Sequence, residues 1–397
     1  MNDGTLKSFE SITGGANVDM SVDPPVLRPP DEHSVAEVLK KSTSEGVSVF
    51  IKGSGTMPSP AYNDGIVLDM KGFSGKAVID RDDFMSVIPA GVTVETLASE
   101  AGNNGVRLPL DSLYGGKATL GGAFMSGFAG LSAYAARPLR DAVTGTRCVA
   151  ADGAVVTGGG KTAKNVTGYE LTRFFAGTMG LFGVVTELIV KLEPLPQSRM
   201  AVSGVFKKIP DFQRLLLSID TAIRCAAQTE VFTGPEKAEV AVIVEGLESV
   251  VLSSADIAGN LMSDAGAYDI ATAPAGEYIL RRRGENVLPM ETDFHTVTLP
   301  PASTGILVGF IVNLDHHIPV VAHPRAGKLH FVSGDTSMVG MVREKSLALG
   351  GKPPVSRSDI VRHGVAGLFS SSELDMVRAL KRELDPKNIL NPHILIP

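Results

Sequence analysis

Cysteine is scarce in this chain, with only Cys148 and Cys225 among 397 residues. Two thiols exclude a disulfide framework and are too few to ligate an iron–sulfur cluster, and each lies inside an apolar pattern. Any electrons the protein handles must travel on an organic cofactor or pass to another chain. Long apolar runs are missing as well. None approaches the roughly 20 residues a membrane helix requires, and residues 1–21 are polar, without the core of a signal peptide. The expected compartment is the cytoplasm. Basic residues are not in excess either. The formal net charge of -6 argues against nucleic acid as the main partner. With 44% hydrophobic and 20% charged residues, the chain is globular and long enough for two domains with their own cores.

Glycine, by contrast, is abundant, and it concentrates in residues 119–186. This stretch opens Thr119-Leu120-Gly121-Gly122, passes Gly127 and Gly130, and closes with Gly177-Thr178-Met179-Gly180-Leu181-Phe182-Gly183-Val184-Val185-Thr186. These glycines stand among apolar residues rather than the Ser/Pro filler of a linker. They mark ordered backbone at positive φ, or backbone lying close to a ligand. A nucleotide or flavin along these loops is one reading, and a turn-rich β domain without a ligand is the other.

Taken in order, residues 31–46 read as a helix, with Ser34 capping, Glu37 reaching back, and Gly46 as the stop. Residues 47–51 form a short buried strand that runs into Lys52-Gly53-Ser54-Gly55-Thr56-Met57-Pro58. A strand followed by such a loop gathers several backbone N–H groups in one concavity, which suits a pyrophosphate. The spacing is neither that of a P-loop nor the full dinucleotide fingerprint. Strands are expected at 66–70, 85–89 and 184–192, with a helix over 94–105 capped by Thr93 and a tight turn at Asp152-Gly153. Pro194 and Pro196 mark a boundary. Beyond it, strands at 201–206 and 240–244 alternate with helices at 211–219 and about 250–262, which suggests a mostly antiparallel sheet with helices on one face. Residues 372–384 predict an amphipathic helix with Leu374, Val377, Leu380 and Leu384 on one side, and the turn-forming, apolar tail after it is expected to dock.

Six segments, in their order and spacing, carry a resemblance. They are Lys52 to Thr56, Pro89-Ala90-Gly91-Val92, Thr119 to Gly122, Asn165 to Leu171, Gly177 to Thr186 and Asp385 to Pro392. Over residues 20–397 the chain resembles the FAD-binding oxidases related to vanillyl-alcohol oxidase and p-cresol methylhydroxylase. Among these it looks most like flavin subunits of bacterial glycolate oxidase and the D-lactate and D-2-hydroxyglutarate dehydrogenases. The resemblance implies an α+β fold: a two-part FAD-binding domain over 20–196 (about 20–80 and 81–196) and an α+β cap domain over 197–384. A polar segment precedes them (1–19), and a tail (385–397) returns to the FAD domain.

By the same resemblance, Lys52, Gly53, Ser54, Gly55 and Thr56 hold the pyrophosphate, with Gly91 and Thr119 alongside. Leu120, Gly121, Gly122, Gly127 and Gly130 line the flavin and ribityl chain. Gly183, Val184 and Val185 meet the adenine end through backbone atoms, and Asn391 completes the cofactor set. Tyr169 is either a flavin contact or a hydrogen-bonded core tyrosine, and Arg140–Asp141 is a structural pair. Some relatives tether FAD covalently to a His just after the first loop. Met57-Pro58 stands there in this chain, so FAD is expected to be non-covalent.

His323 and His330 flank Pro324-Arg325-Ala326-Gly327-Lys328-Leu329 where relatives carry a His-x-Gly-Asp-Gly-Asn-x-His segment. In some relatives the two His bind a divalent metal together with the Glu of a later Glu-His-Gly. In this chain that motif reads Arg362-His363-Gly364, and a cation at 362 with Lys328 nearby opposes a metal. No metal is expected; Arg362 and Lys328 then hold a substrate carboxylate as fixed positive charge. His363 and His330 are the candidates for taking the substrate's hydroxyl proton. Arg281-Arg282-Arg283 stands where relatives place an acid-binding arginine, with Arg282 the candidate. Asp315-His316-His317 reads as a polar loop, because adjacent residues point apart. The expected activity is FAD-dependent oxidation of a small 2-hydroxy acid, with electrons passed to an iron–sulfur partner subunit and a second flavin subunit as a further partner. The alternative is a non-catalytic flavin subunit assisting a sister chain. A sugar or alcohol oxidase fits less well, since a neutral substrate has no need of these cations.

Overall fold

The computed structural model describes residues 3–56, 62, 64–110, 116–127, 139–161, 170–235, 237–285, 293–364, 366 and 369–395. The chain divides into two units: Met1–Ala129, Pro138–Leu195 and Ile360–Pro397 in the first, Gly130–Arg137 and Pro196–Asp359 in the second.

Two sheets organise the first unit. One has the strand order Val18–Asp19, Val26–Leu27, Ile66–Asp69, Val49–Lys52. Ile66–Asp69 runs parallel to both of its neighbours. The other sheet is antiparallel, in the order Val78–Asp80, Met85–Pro89, Val184–Lys191, Val143–Val149, Val155–Gly159. The turn at Asp152-Gly153 forms as expected, with Gly153 at φ 82.

Helix Glu32–Glu45 packs Val35, Val38 and Leu39 into the core and ends at Gly46, φ 69. Its cap differs from the sequence reading. Asp31 accepts the Ser34 N–H at 2.7 Å, and the Ser34 hydroxyl itself donates to Asp31. An acceptor one turn earlier reaches the exposed N–H groups that Ser34, already helical, cannot. Glu32 joins this helix to the second sheet. It pairs with Arg147 at 2.5 Å and accepts the Thr186 hydroxyl at 2.7 Å.

The N-terminal segment that reads as merely polar contains helix Asp3–Thr13, anchored by the fully buried Phe9. Helix Ser371–Leu384 also departs from expectation. Its one buried residue is Lys381, whereas Leu380 and Leu384 are 37% and 43% exposed. The Lys381 ammonium donates to Asp385 at 2.7 Å and to the carbonyls of Leu181 and Leu390. Three oxygens around the cation replace the water lost on burial. Residues 360–384 therefore group with the first unit, although the sequence boundary stood at 384.

The second unit holds an eight-stranded antiparallel sheet in the order Asp269–Pro274, Ser198–Phe206, Ala238–Gly246, Ala226–Thr233, Val320–His323, Lys328–Phe331, His295–Thr298, Val355–Ser356. Helices Phe212–Ala222, Glu248–Asp264, Thr304–Leu314 and Thr336–Ala348 cover one face. The core there is built on Val202, Val240, Val242, Val297 and Leu329. Alternation sends Ala201, Ala241 and Ile243 to the other face, where Ala275 and Tyr278 of helix Ala275–Glu285 pack on them. Helices therefore occupy both faces, not one.

Candidate functional site

In the first unit, the glycine loops singled out by sequence come together as backbone. Strand Val49–Lys52 delivers Gly53 against Thr119, and a Cβ at 53 would lie 2.4 Å from the Thr119 hydroxyl. Thr119 caps helix Leu120–Met125, accepting the Gly122 N–H at 3.1 Å. The Leu120 and Gly121 N–H groups donate to Val92 and Ala90. Gly91, between those two acceptors, lies flush on the 70–73 turn, where a Cβ would meet Met70 O at 2.3 Å and Phe73 O at 2.5 Å. Gly127 (φ 67) abuts Gly177, whose N–H donates to Phe124. Gly183 rests on the Val149 carbonyl, and the Val184 and Val185 side chains are buried in the sheet.

Two features of the Lys52-to-Thr56 loop fit a phosphate-bearing cofactor. The Ser54 hydroxyl is buried without a hydrogen-bond partner among the described residues. Lys52 has no carboxylate partner among them either. A spare hydroxyl and a spare ammonium beside glycine backbone are what phosphoryl oxygens require.

Asn391 stands beside this loop with its amide committed to the protein. Its Oδ1 accepts the Ile51 N–H at 2.7 Å and its Nδ2 donates to the Met179 carbonyl at 2.7 Å. Gly130, Tyr169, Met57 and Pro58 lie outside the described residues. Asp141 receives both Arg140, at 3.8 Å, and Arg173, at 3.3 Å. Arg362 and His363 end helix Arg357–His363 and are exposed. The buried Cys148 thiol is pushed up to about 12 by desolvation and is chemically quiet.

The second unit places His323, Lys328 and His330 on one sheet face. Lys328 is the direct neighbour of His323 across one strand pair and of Thr298 across the other, and His330 faces Thr296. The rings of His323 and His330 lie 6.0 Å apart. His330 Nδ1 is 3.0 Å from the Thr296 hydroxyl, and the Lys328 ammonium donates to Thr298 at 2.7 Å. Burial, then the proximity of His323 and Lys328, pushes His330 down to about 3, so its ring is neutral. Burial likewise lowers Lys328.

Arg281 and Arg325 of this unit have carboxylates. Arg281 pairs with the buried Glu239 at 3.1 Å, and Tyr278 beside it donates to Glu230 at 2.9 Å. Arg325 is buried, docked on Asp220 at 3.4 Å and on the Ala226 carbonyl. Arg282 lies in helix Ala275–Glu285, with its side chain outside the described residues. Asp315, His316 and His317 do not point apart. A turn closed by the His317 N–H on Asp315 brings their ligand atoms within 4.8 Å of one another, all exposed. Sequence reading missed Thr296, Thr298, Glu230 and Glu239. A strand assigned at 295–298 would have put both threonines opposite His330 and Lys328 by period-two alternation.

Comparison with known proteins agrees with this geometry. A family model described as "FAD binding domain" matches residues 24–159. The chain is 25% identical to the glycolate oxidase subunit GlcD of Bacillus subtilis (strain 168), covering 92% of this chain and 87% of that protein. It is also 25% identical to a D-lactate dehydrogenase of Archaeoglobus fulgidus, covering 92% and 90%. Among solved structures, p-cresol methylhydroxylase superposes with a TM-score of 0.78 at 15% identity, covering 100% of this chain and 98% of that one. No helix among the described residues is long and apolar enough to cross a membrane. Residues 24–159, which include the loops at Gly53 and Thr119, match an FAD binding domain, and the chain has the fold of p-cresol methylhydroxylase.

Proposed function

We propose that the protein oxidises a small 2-hydroxy acid of the glycolate or D-lactate type, and that its electrons leave through a partner iron–sulfur subunit. One observation carries the substrate class: the His323, Lys328 and His330 face presents the Lys328 cation beside the neutral imidazole of His330, whereas Arg281 and Arg325 each already meet a carboxylate. An acid fits this charge pattern, and a neutral alcohol does not use it. The names of the two relatives, a glycolate oxidase subunit and a D-lactate dehydrogenase, support the same class.

In this reading Lys52, Ser54 and the loop backbone hold the pyrophosphate of non-covalent FAD, with the Thr119-to-Gly122 turn beside it. FAD, when bound, supplies the two-electron acceptor for the hydride leaving substrate C2. The chain's own residues do the rest. Lys328, Arg282 and Arg362 are the candidates for receiving the carboxylate, and His330 or His363 for taking the hydroxyl proton, which leaves a 2-oxo acid. Electrons must then leave the chain, because its two cysteines cannot hold a cluster.

A second reading has its own observation. A ring held near 3 is a weak base, as His330 is, and this favours an accessory FAD subunit beside a catalytic sister chain. Anaerobic stopped-flow absorbance with glycolate, D-lactate, L-lactate and D-2-hydroxyglutarate separates the two. Bleaching of the flavin band by one acid establishes the dehydrogenase; bleaching only after partner subunits are added establishes the accessory role.

A further inference from the structure

We infer that Asp315, His316 and His317, just past the end of helix Thr304–Leu314, hold one divalent transition-metal ion of the zinc, nickel or copper kind on the surface of the second unit. The site is independent of the substrate reading above and shares no residue with it.

Adjacent side chains point apart only where the backbone is a regular helix or strand. This backbone is neither. The helix ends at Leu314, and Asp315 leaves it in an extended conformation, φ -155 and ψ 111. The Asp315 N–H still donates to the Ile311 carbonyl, while its own carbonyl accepts the Ile318 N–H at 3.3 Å and its Oδ1 accepts the His317 N–H at 2.9 Å. His316 and His317 are therefore the central residues of a turn that Asp315 closes with both backbone and side chain. Ile318 is 8% exposed and belongs to the core cluster of this unit, so it pins the turn from below. The two imidazole rings lie side by side, 4.0 Å between centroids and 40° between planes. One ligand atom from each of the three residues lies within 4.8 Å of the others.

Charge and donor type select the ion. Among the described residues, no lysine or arginine pairs with Asp315, and no protein group takes a ring nitrogen of either histidine. All three residues are exposed, so a hydrated ion reaches them without any opening of the fold. The C-terminal end of an 11-residue helix adds partial negative charge beside them, which favours a cation. Two imidazoles with one carboxylate suit zinc, nickel and copper, whereas magnesium and calcium prefer shells of oxygen. Drawing the three atoms onto one ion at about 2.0–2.2 Å requires only rotation of exposed side chains. Three protein ligands leave the rest of the coordination shell to water.

The test uses the untagged, FAD-loaded full chain, with calorimetric titration of zinc chloride and paramagnetic resonance of the copper-loaded protein. Wild type is expected to bind zinc at a site that the double variant His316→Ala/His317→Ala lacks. Each single variant removes a ligand and should weaken zinc by at least the roughly 10–100-fold that loss of a supporting partner costs a metal site. Asp315→Asn keeps an oxygen for the His317 N–H but removes the charge. Weaker zinc binding with an unchanged melting temperature in this variant separates ligation from the turn. Copper on wild type should show nitrogen splitting from two imidazoles, and from one in either histidine variant. FAD content and melting temperature check that the variants fold. No binding of zinc or copper to wild type overturns the site, as does equal zinc affinity in wild type and the double variant. Nitrogen splitting that stays the same in both single variants overturns it as well, because the ion then sits on other histidines.

Discussion

Asn391 and Ile51 stand 340 residues apart in sequence and 2.7 Å apart in space, with the asparagine Oδ1 accepting the Ile51 N–H. The same amide donates to Met179, and the Asn391 N–H donates to Val49. The C-terminal tail thereby fixes the end of the strand that leads into the Lys52-to-Thr56 loop. Asn391→Leu loses both side-chain bonds and leaves two partly buried backbone groups, the Ile51 N–H and the Met179 carbonyl, without that partner. It is expected to cost about 2–4 kcal/mol and to weaken FAD binding with it. Chemical denaturation and FAD titration measure the two effects; unchanged FAD affinity would show that the tail is only structural glue.

The Ser54 hydroxyl has no described protein partner to lose. Ser54→Ala should therefore leave the apoprotein's stability within about 0.5 kcal/mol of wild type while weakening FAD roughly tenfold. A stability loss without an affinity loss contradicts its assignment to the phosphate loop.

Gly53 and Gly91 are tight for different reasons. A Cβ at 91 meets two backbone carbonyls, which cannot move aside. Gly91→Ala is expected to cost about 2–3 kcal/mol. A Cβ at 53 meets the Thr119 side chain instead. The double mutant Gly53→Ala/Thr119→Ala should then lose less stability than the two single mutants summed, and a double-mutant cycle reads the difference. Strict additivity would mean that the two residues are not in contact.

His393 packs edge-on against Phe50 and Tyr62, and burial lowers it to about 4 from 6.5. The folded state thus favours the neutral ring. The stability this contributes is complete above pH 6.5 and is lost as pH falls toward 4. After discounting for solvent screening, the expected loss between pH 6.5 and 4.5 is about 1–2 kcal/mol. Denaturation midpoints against pH for wild type and His393→Phe isolate the term, since the variant should lack this part of the slope.

Local signals were legible wherever a residue's role depends on its chain neighbours. The β strand at Val184–Lys191 follows from alternation, the stop at Gly46 from its left-handed φ, and the Thr93 cap of helix Val94–Asn103 from its hydroxyl. The cap of helix Glu32–Glu45 was missed by three residues, because Asp31 and Ser34 offer equivalent oxygens in sequence. The apolar stripe of helix Ser371–Leu384 misled more. Periodicity marks Leu380 and Leu384 as buried, yet the residue taken inside is Lys381, since only tertiary structure supplies the Asp385, Leu181 and Leu390 oxygens that make a buried ammonium tolerable.

By itself the sequence determined the α+β class from its strand and helix order, and its resemblance to the FAD-binding oxidases gave the cofactor, while glycine spacing alone left a ligand-free β domain open. Tertiary structure decided which polar groups are left with work to do. Whether an arginine or a lysine is available to a ligand depends on which carboxylate folds against it. Glu239 and Asp220 reach Arg281 and Arg325 from distant strands and helices, while among the described residues Lys328 donates to the hydroxyl of Thr298 and meets no carboxylate.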